Sequence, residues 1–578
     1  MEFLKSVIVC VATTLTSFGF QQTYLKASNT WGYDRFGSGV AVDGDTLAVA
    51  AFREDSGSAG VNGLQFNNDI ENSGAVYVFV RDGDSWVQQA YLKASNPGEG
   101  DYFGSSLAVS GNTIVVGAAR ESSGSAGVNG EQSNDDLRRS GAAYVFVRDG
   151  ETWRQEAYLK ASHPGASDNF GDDVDISDDL IVVGASGESS GAAGPPNEDR
   201  VPGAGAAYLF RRSAGEWAQE ALLKADNAGQ GDAFGLSVAV SGEVVLVGAL
   251  TEDGPLDAEI SDSGAAYVFA RQDGVWSQQA YLRASNPGDG DYFGQAVDLD
   301  GDRLVIGAPS EDSGATGVNP PGDDNSARGA GAAYLFEWDG TSWLETNYVK
   351  ASNSGGISHG DGDGDNFGGT VALSGGLLIV GAEGEDSAAL GLDGDGSDDS
   401  ALGSGAAYLY RLQDSRCLFA RYIKASNTEA DDKFGFRVAI SNETIVIGSR
   451  DEDSSARGVN QSQGNETGDF ESGENSGAAY VFDAERSDFP PVLLAVNPVD
   501  TDLEVLFEGL PGIDDWQVFG SNTLPIATNL TPVSTLEELT PGRYRFIVNG
   551  DVFQPRFFVQ VGRGGIFRRI SAPLHGVP

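Results

Sequence analysis

The residues with the clearest chemical potential are aspartates in two glycine-rich stretches. "HGDGDGDNFG" puts Asp361, Asp363 and Asp365 at alternate positions, and "LDGDGSDDS" puts Asp393, Asp395, Asp398 and Asp399 in a similar pattern. Alternating carboxylates separated by flexible Gly let one short loop converge several hard oxygens on a Ca²⁺ ion. The ligands expected are Asp361, Asp363, Asp365, Asp393, Asp395 and Asp399. Neither stretch carries the closing Glu of an EF-hand, and the same composition also makes plain solvated loops. His163 and His359 lie in loops of the same kind and are the candidate general bases, but no second group at a telling spacing accompanies either. With 85 acids in the chain, a carboxylate pair arises by chance, so no catalytic pair is nominated.

Three further sets of ionisable residues recur seven times. An Asp stands two residues before every Phe-Gly, at Asp34, Asp101, Asp168, Asp232, Asp291, Asp365 and Asp432. A Glu recurs at Glu54, Glu121, Glu188, Glu252, Glu311, Glu385 and Glu452, and a basic residue at Lys26, Lys93, Lys160, Lys224, Arg283, Lys350 and Lys424. The Asp set is expected to bond backbone amides of the turn it sits in, with metal ligation as the alternative. The basic set is expected to be structural, pairing with the acids between repeats. Trp86, Trp153, Trp217, Trp276 and Trp343, with Cys417 in the equivalent place, stand five residues before a "YLKAS"-like segment and read as packing anchors.

These residues are positioned by a repeat. "YLKAS" or a relative starts at Tyr24, Tyr91, Tyr158, Leu222, Tyr281, Tyr348 and Tyr422. Phe-Gly follows at Phe36, Phe103, Phe170, Phe234, Phe293, Phe367 and Phe434, and a "GAAYVF"-like segment places Tyr77, Tyr144, Tyr208, Tyr267, Tyr334, Tyr408 and Tyr480. Within a unit, "SSLAVS" and "TIVVGAA" join through a tight turn, a long polar loop follows, and "GAAYVFVRDG" and "TWRQEAYLKAS" join through a second tight turn. Four strands per unit, seven times, with a second strand apolar throughout, predict a β-propeller. The chain's first "QQTYLKAS" is a fourth strand without its first three, and the last unit stops after "GAAYVFDAERS". The N-terminal strand is therefore expected to complete the seventh blade and remove the open edge.

Phe-Gly together with Gly307-Ala308-Pro309 makes the unit resemble the FG-GAP repeat, the repeat of the seven-bladed propeller at the N-terminus of integrin α subunits, over about residues 21–485. The closer resemblance is to microbial secreted or surface proteins built of this repeat. The resemblance implies an extracellular recognition or adhesion role. The integrin calcium loop does not transfer, because the turns here ("VDGDT", "VSGNT", "ISDDL") are too short to wrap a cation.

The fold expected is all-β: a seven-bladed β-propeller of four-stranded blades closed by the N-terminal strand, plus a small C-terminal β-sandwich-like domain. The expected limits are a signal peptide over 1–19, the propeller over 20–487 and the C-terminal domain over 488–578. The leader reading rests on an apolar run ending in Ser17 and Gly19, too short for a comfortable membrane span. A net charge of −49 disfavours nucleic acid and anionic lipid as partners of the main body, because both carry the same sign. Two cysteines exclude a disulfide framework. In the tail, Arg543, Arg545, Arg556, Arg563, Arg568 and Arg569 face one acid, Asp551, which suits docking on the propeller or an anionic cell-surface polymer. The reading is a secreted or surface-displayed, non-catalytic, calcium-supported protein that binds an extracellular protein or polysaccharide through the acidic long-loop face. The alternatives are an extracellular polysaccharide hydrolase or lyase, and a self-assembling matrix or coat component.

Overall fold

The computed structural model describes residues 20–484 except 192–200, 255–259, 322–324, 356–363, 462 and 464–472, together with the strands between 492 and 569. The leader segment 1–19, His359, Asp361 and Asp363 lie outside the described residues. No described helix is long and apolar enough to cross a membrane.

The first blade shows the plan. Phe36–Asp43, Thr46–Ala51, Ala75–Asp82 and Ser85–Leu92 form one antiparallel sheet in that order. Six more sheets repeat it. Two-residue turns connect strands one to two and three to four, while strands two and three are joined by the long stretch from Phe52 to Gly74. Antiparallel order therefore sends every long loop to one face of the ring and every tight turn to the other. The second strand is buried at every position in Thr46–Ala51, Thr113–Ala118 and Leu180–Ala185, because each blade is packed on both faces by its neighbours. One such interface gathers Val115, Val145 and Leu159 of the second blade with Val183, Tyr208 and Trp217 of the third.

The Phe-Gly pair locks blade to blade. In all seven blades its ring packs edge-on or tilted against the third-strand Tyr, with centroids 5.2 to 5.4 Å apart. The Gly permits the approach: Gly171 has φ +92°, and a Cβ there would sit 2.4 Å from the Ala142 carbonyl oxygen of the preceding blade. The indole N–H groups reach the same way. Trp153 donates to Gln89 (2.7 Å), and Trp217 to Glu156 (3.0 Å), in each case on the blade before.

The ring closes as the sequence predicts. Phe434–Ser441, Thr444–Ser449 and Ala478–Ala484 form a sheet whose fourth strand is Phe20–Leu25. The Tyr24 ring lies 5.4 Å from that of Tyr480, and the Tyr24 hydroxyl donates to Glu452 (2.7 Å). A second closure runs along the tight-turn face. Asp43 accepts the Gly111 N–H of the next blade (2.7 Å), Ser110 that of Asp178 (3.2 Å), Ser177 that of Gly242 (3.2 Å) and Ser241 that of Gly301 (3.3 Å). Asp300 accepts from Gly375 (2.9 Å), Ser374 from Asn442 (3.0 Å), and Ser441 from Gly44 back on the first blade (3.1 Å). Every joint of the ring has one such bond. The turns judged too short for calcium hold the neighbouring turn instead.

Gln22–Phe482 forms one compact unit, and the tail falls to another. The described tail strands form two four-stranded antiparallel sheets. Val492–Val499, Asp502–Glu508, Arg543–Val548 and Glu537–Thr540 make one; Thr531–Pro532, Gln517–Ser521, Phe558–Arg563 and Ile566–Arg569 make the other. Arg543 and Arg545 lie on the first sheet and Arg563, Arg568 and Arg569 on the second, while Arg556 lies outside the described residues.

A chain begun at Asn29 loses the closing strand and leaves Glu452 buried without Lys26, a change that costs about 3–5 kcal/mol for the ion pair alone. Its unfolding midpoint in urea is expected to fall, and a peptide of residues 20–29 to restore it. An unchanged midpoint in the shortened chain would remove the closure from the account of stability.

Candidate functional site

The long-loop face is built on a charged lattice beneath it. In every blade the basic residue just after the fourth strand pairs with the Glu just after the second strand of the same blade, at 2.6 to 2.9 Å: Lys26–Glu452, Lys93–Glu54, Lys160–Glu121, Lys224–Glu188, Arg283–Glu252, Lys350–Glu311 and Lys424–Glu385. The expectation of pairing between repeats is corrected here. The ends of the second and fourth strands flank the start of the third within one sheet, so the ammonium spans that gap; Lys93 also donates to Ser73 there (2.7 Å). Burial pulls these lysines below their ordinary pKa while the facing Glu opposes it.

The link between blades is a residue the sequence reading passed over, the Asn that closes "KASN", "KADN" or "RASN". Asn29, Asn96, Asn227, Asn286, Asn353 and Asn427 each donate to the Glu of the next blade at 2.9 to 3.1 Å. Each accepts from that blade's third-strand Tyr hydroxyl at 2.5 to 2.9 Å. The fourth-strand Tyr adds a third bond to the same Glu, as from Tyr158 to Glu121 (3.0 Å) and Tyr422 to Glu385 (2.6 Å).

The third blade departs from this pattern. His163 takes the Asn position, with its ring exposed and Nδ1 3.1 Å from the Ser162 hydroxyl. Leu222 takes the place of the fourth-strand Tyr. The Tyr208 hydroxyl is buried and has no hydrogen-bond partner among the described residues. The signal was present in the sequence as "KASH" among copies of "KASN".

The recurring Asp set fixes the turn before each blade. Asp34, Asp101, Asp168, Asp232, Asp291, Asp365 and Asp432 accept a backbone N–H from Trp31, Gly98, Gly165, Gly229, Gly288, Gly355 and Glu429, at 2.6 to 3.1 Å. Burial, reinforced by the Glu of the blade and opposed by the amide bond, pushes Asp101 and Asp291 up to about 7 and Asp365 and Asp432 up to about 8.

Of the six expected calcium ligands, Asp361 and Asp363 lie outside the described residues. Asp365 serves its turn through Gly355. Asp393 accepts from the Arg421 guanidinium (3.0 Å) and the Tyr422 N–H (3.2 Å), and Asp395 accepts from the Ser397 hydroxyl (2.6 Å). Asp399 contributes to the field that raises the pKa of Asp365. Among the described residues no group of three or more His, Cys, Asp or Glu side chains gathers as a metal cage.

Along the axis the first strands of all seven blades line a cavity of about 410 Å³. Its carboxylates come from the third and fifth blades. Asp173 accepts from Val238 of the fourth blade (2.8 Å) and from Val174 (3.0 Å), and Asp175 from Val240 (2.7 Å) and Ile176 (2.8 Å). Asp298 accepts from Leu373 of the sixth blade (2.5 Å) and from Leu299 (2.8 Å). Each bridges two inner strands that share no ladder, and burial raises them to about 7, 8 and 6. The Arg437 guanidinium packs on the Phe436 ring at 4.5 Å, and the charge of Asp173 supports its protonated form against burial.

Seven four-stranded sheets in a ring, each unit built on Phe-Gly and joined by the same bonds, define a repeat propeller that presents loops from a rigid frame. The FG-GAP repeat model matches residues 20–79, 86–146, 153–210, 217–269, 276–336 and 420–482, more than half of the chain, and the chain belongs to this family. Each match begins at a fourth strand, so the sequence repeat is offset by one strand from the blade. The sixth blade lies largely between matches, yet it keeps the Phe367–Tyr408 packing and the Lys424–Glu385 pair. No curated protein matches the chain. A propeller of this family is a scaffold of the protein-binding, adhesion type.

The carboxylate shifts give a sign. A folded-state pKa above the unfolded value near ~3.9 means that the folded chain holds more protons between about pH 4 and pH 8, so stability falls as pH rises through that window. The urea midpoint is expected to be higher at pH 6 than at pH 9, and Asp432→Asn, which keeps an oxygen for the Glu429 N–H, to shrink the difference. An unaltered pH profile in Asp432→Asn would assign the effect to overall charge.

His163→Asn supplies the missing amide to Tyr208 and Glu188. It is expected to stabilise the chain by about 1–3 kcal/mol, the penalty of a buried unsatisfied group. Neutral or lower stability in denaturant melts would contradict the role given to this residue.

Proposed function

We propose that the chain is an extracellular, non-catalytic recognition protein whose long-loop face holds a protein partner carrying cationic and apolar groups. The observation that carries this reading is on the first blade. Its long loop presents Leu64 and Phe66 at 74% and 60% exposure, on a molecule whose net charge is −49. Neighbouring contacts hold the loop that bears them. The Asn29 amide donates to the Gln65 carbonyl (2.6 Å), and the Arg457 guanidinium of the seventh blade stands 5.7 Å from the Phe66 ring. Large apolar side chains presented on an ordered loop favour a contact surface, and the surrounding anionic field favours a basic partner over an acidic polysaccharide. The apolar run before Phe20 supports export, and the basic tail supports surface association. Calcium enters the proposal through Asp361 and Asp363, which alternate with Gly in the sequence just before Asp365.

The test is retention of the purified chain on the surface of its source cells. Leu64→Ser with Phe66→Ser is expected to lower retention by roughly tenfold, the effect of losing about 1.4 kcal/mol of contact. Val275→Ser, which changes an exposed residue beside a tight turn of the fourth blade, is the control expected to retain binding. Equal retention of both variants would reject the long-loop face. Calorimetric calcium titration is expected to give binding heat that Asp361→Ala with Asp363→Ala removes, and no heat in the parent chain would remove calcium from the proposal.

A further inference from the structure

The six regular joints show what the seventh is shaped to hold. At each of them a primary carboxamide stands between a tyrosine hydroxyl and a buried carboxylate, taking the hydroxyl proton on its oxygen and giving an N–H to the Glu. In three of them the second N–H reaches a loop carbonyl: Gln65 (2.6 Å), Gln132 (3.1 Å) and Gly396 (2.9 Å). The third blade keeps both walls of this arrangement and lacks the amide. Tyr208 is fully buried, its ring held 5.4 Å from Phe170 as in the other blades, and its hydroxyl has no partner among the described residues. Glu188 keeps its ion pair with Lys224 through one oxygen, and the other accepts the Ser190 N–H (3.1 Å) with a lone pair to spare. His163 stands where the Asn stands elsewhere, and its ring is exposed on the long-loop face. Leu222 lacks the phenol that elsewhere occupies another side of the carboxylate.

We propose that the third blade binds a primary carboxamide from outside the chain, the side chain of an Asn or Gln of a protein partner, between Tyr208 and Glu188. The chemistry is that of the six internal joints: the guest oxygen accepts from the Tyr208 hydroxyl and its N–H donates to Glu188. A buried hydroxyl without a partner is costly, so a guest that completes it gains more than the same bond would at an exposed site. The inference deepens the recognition role and rests on the long-loop face being the binding face, because Glu188 stands where the third blade's long loop leaves the second strand and the His163 ring beside it is exposed.

The test uses the full chain and acetamide as the probe, read by saturation-transfer NMR, with N,N-dimethylacetamide as a control that has the oxygen but no N–H. A saturable acetamide signal is expected, with none from the dimethyl compound. Tyr208→Phe is expected to weaken it by roughly tenfold, in line with the loss of one buried hydrogen bond. His163→Asn, in which the chain supplies its own amide, is expected to abolish it. Absence of a saturable signal, equal signals in the parent and His163→Asn chains, or equal signals from the two amides would overturn the proposal. So would a crystal structure in which another residue of the chain bonds the Tyr208 hydroxyl. If acetamide fails while Leu64→Ser with Phe66→Ser still lowers cell retention, the recognition face stands and this site alone is lost.

Discussion

The structure depends on a buried ion pair repeated around a ring. Each Lys–Glu or Arg–Glu pair sits where a long loop leaves the second strand, and in every blade but the third an Asn amide also donates to the carboxylate. Such a pair is weak evidence for net stability, since desolvation offsets most of the attraction. What it supplies is position. A buried carboxylate that must meet one ammonium, one amide and one phenol admits a single arrangement of the four chain segments that carry them. Loops of different length and composition thus leave the frame from equivalent anchors in every blade. The spacing from Lys350 to Asp365 exceeds that from Lys93 to Asp101, and the spacing from Glu452 to Tyr480 exceeds that from Glu54 to Tyr77, yet the same ion pairs form in these blades.

Much of this frame was legible in the sequence, for definite reasons. Phe-Gly and the third-strand Tyr recur because one aromatic contact and one close backbone approach recur, and both need fixed residue types. Closure was legible because an orphan fourth strand at one end matched a missing one at the other. The turn role of the Asp set was the simpler of two readings, and the amide bonds to Asp101 and Asp291 show it. The ion pairs were visible only as two separate lists. Their partners lie far apart in sequence, and nothing in the spacing says whether a Lys meets the Glu of its own blade or of the next. The Asn in "KASN" was missed because a polar residue after a strand is ordinary. The Ser or Asp before each tight turn was read only for what it could not do, bind calcium, when its task was to hold the neighbouring blade.

The axial cavity shows why an acidic lining need not be a cation site. Asp173, Asp175 and Asp298 use both oxygens on backbone N–H groups, one on their own strand and one on the next blade. The inner strands of neighbouring blades share no ladder, so side chains bond their N–H groups across the gap, as the Thr370 hydroxyl does for Val438 (3.3 Å). At two joints a carboxylate takes over that task. The position of Asp175 and Asp298 is filled by alanine at Ala41, Ala108, Ala239, Ala372 and Ala439, which line the same cavity. These acids belong to the frame, which leaves the exposed loops as the surface where recognition chemistry can vary.

Repetition also makes departures informative. A lone exposed His in a loop carries no message in an ordinary protein. At His163 it stands in one of seven equivalent places, and the other six state the hydrogen bonds that the surrounding residues are arranged to make. Tyr208 keeps the ring position of the other third-strand tyrosines, and Glu188 keeps its ion pair with Lys224 while the oxygen that elsewhere takes the Asn amide accepts the Ser190 N–H. The phenol ring at position 222 has gone from the same blade, so two of the three side-chain hydrogen bonds normally given to the Glu are absent together. Random drift in a structural network would be expected to remove a group and let its partner relax. Here the partner is still packed in place, against Phe170 and the core of the second blade. A polar group held rigidly in the orientation of a bond that no described residue completes is the physical form of a preorganised binding contact.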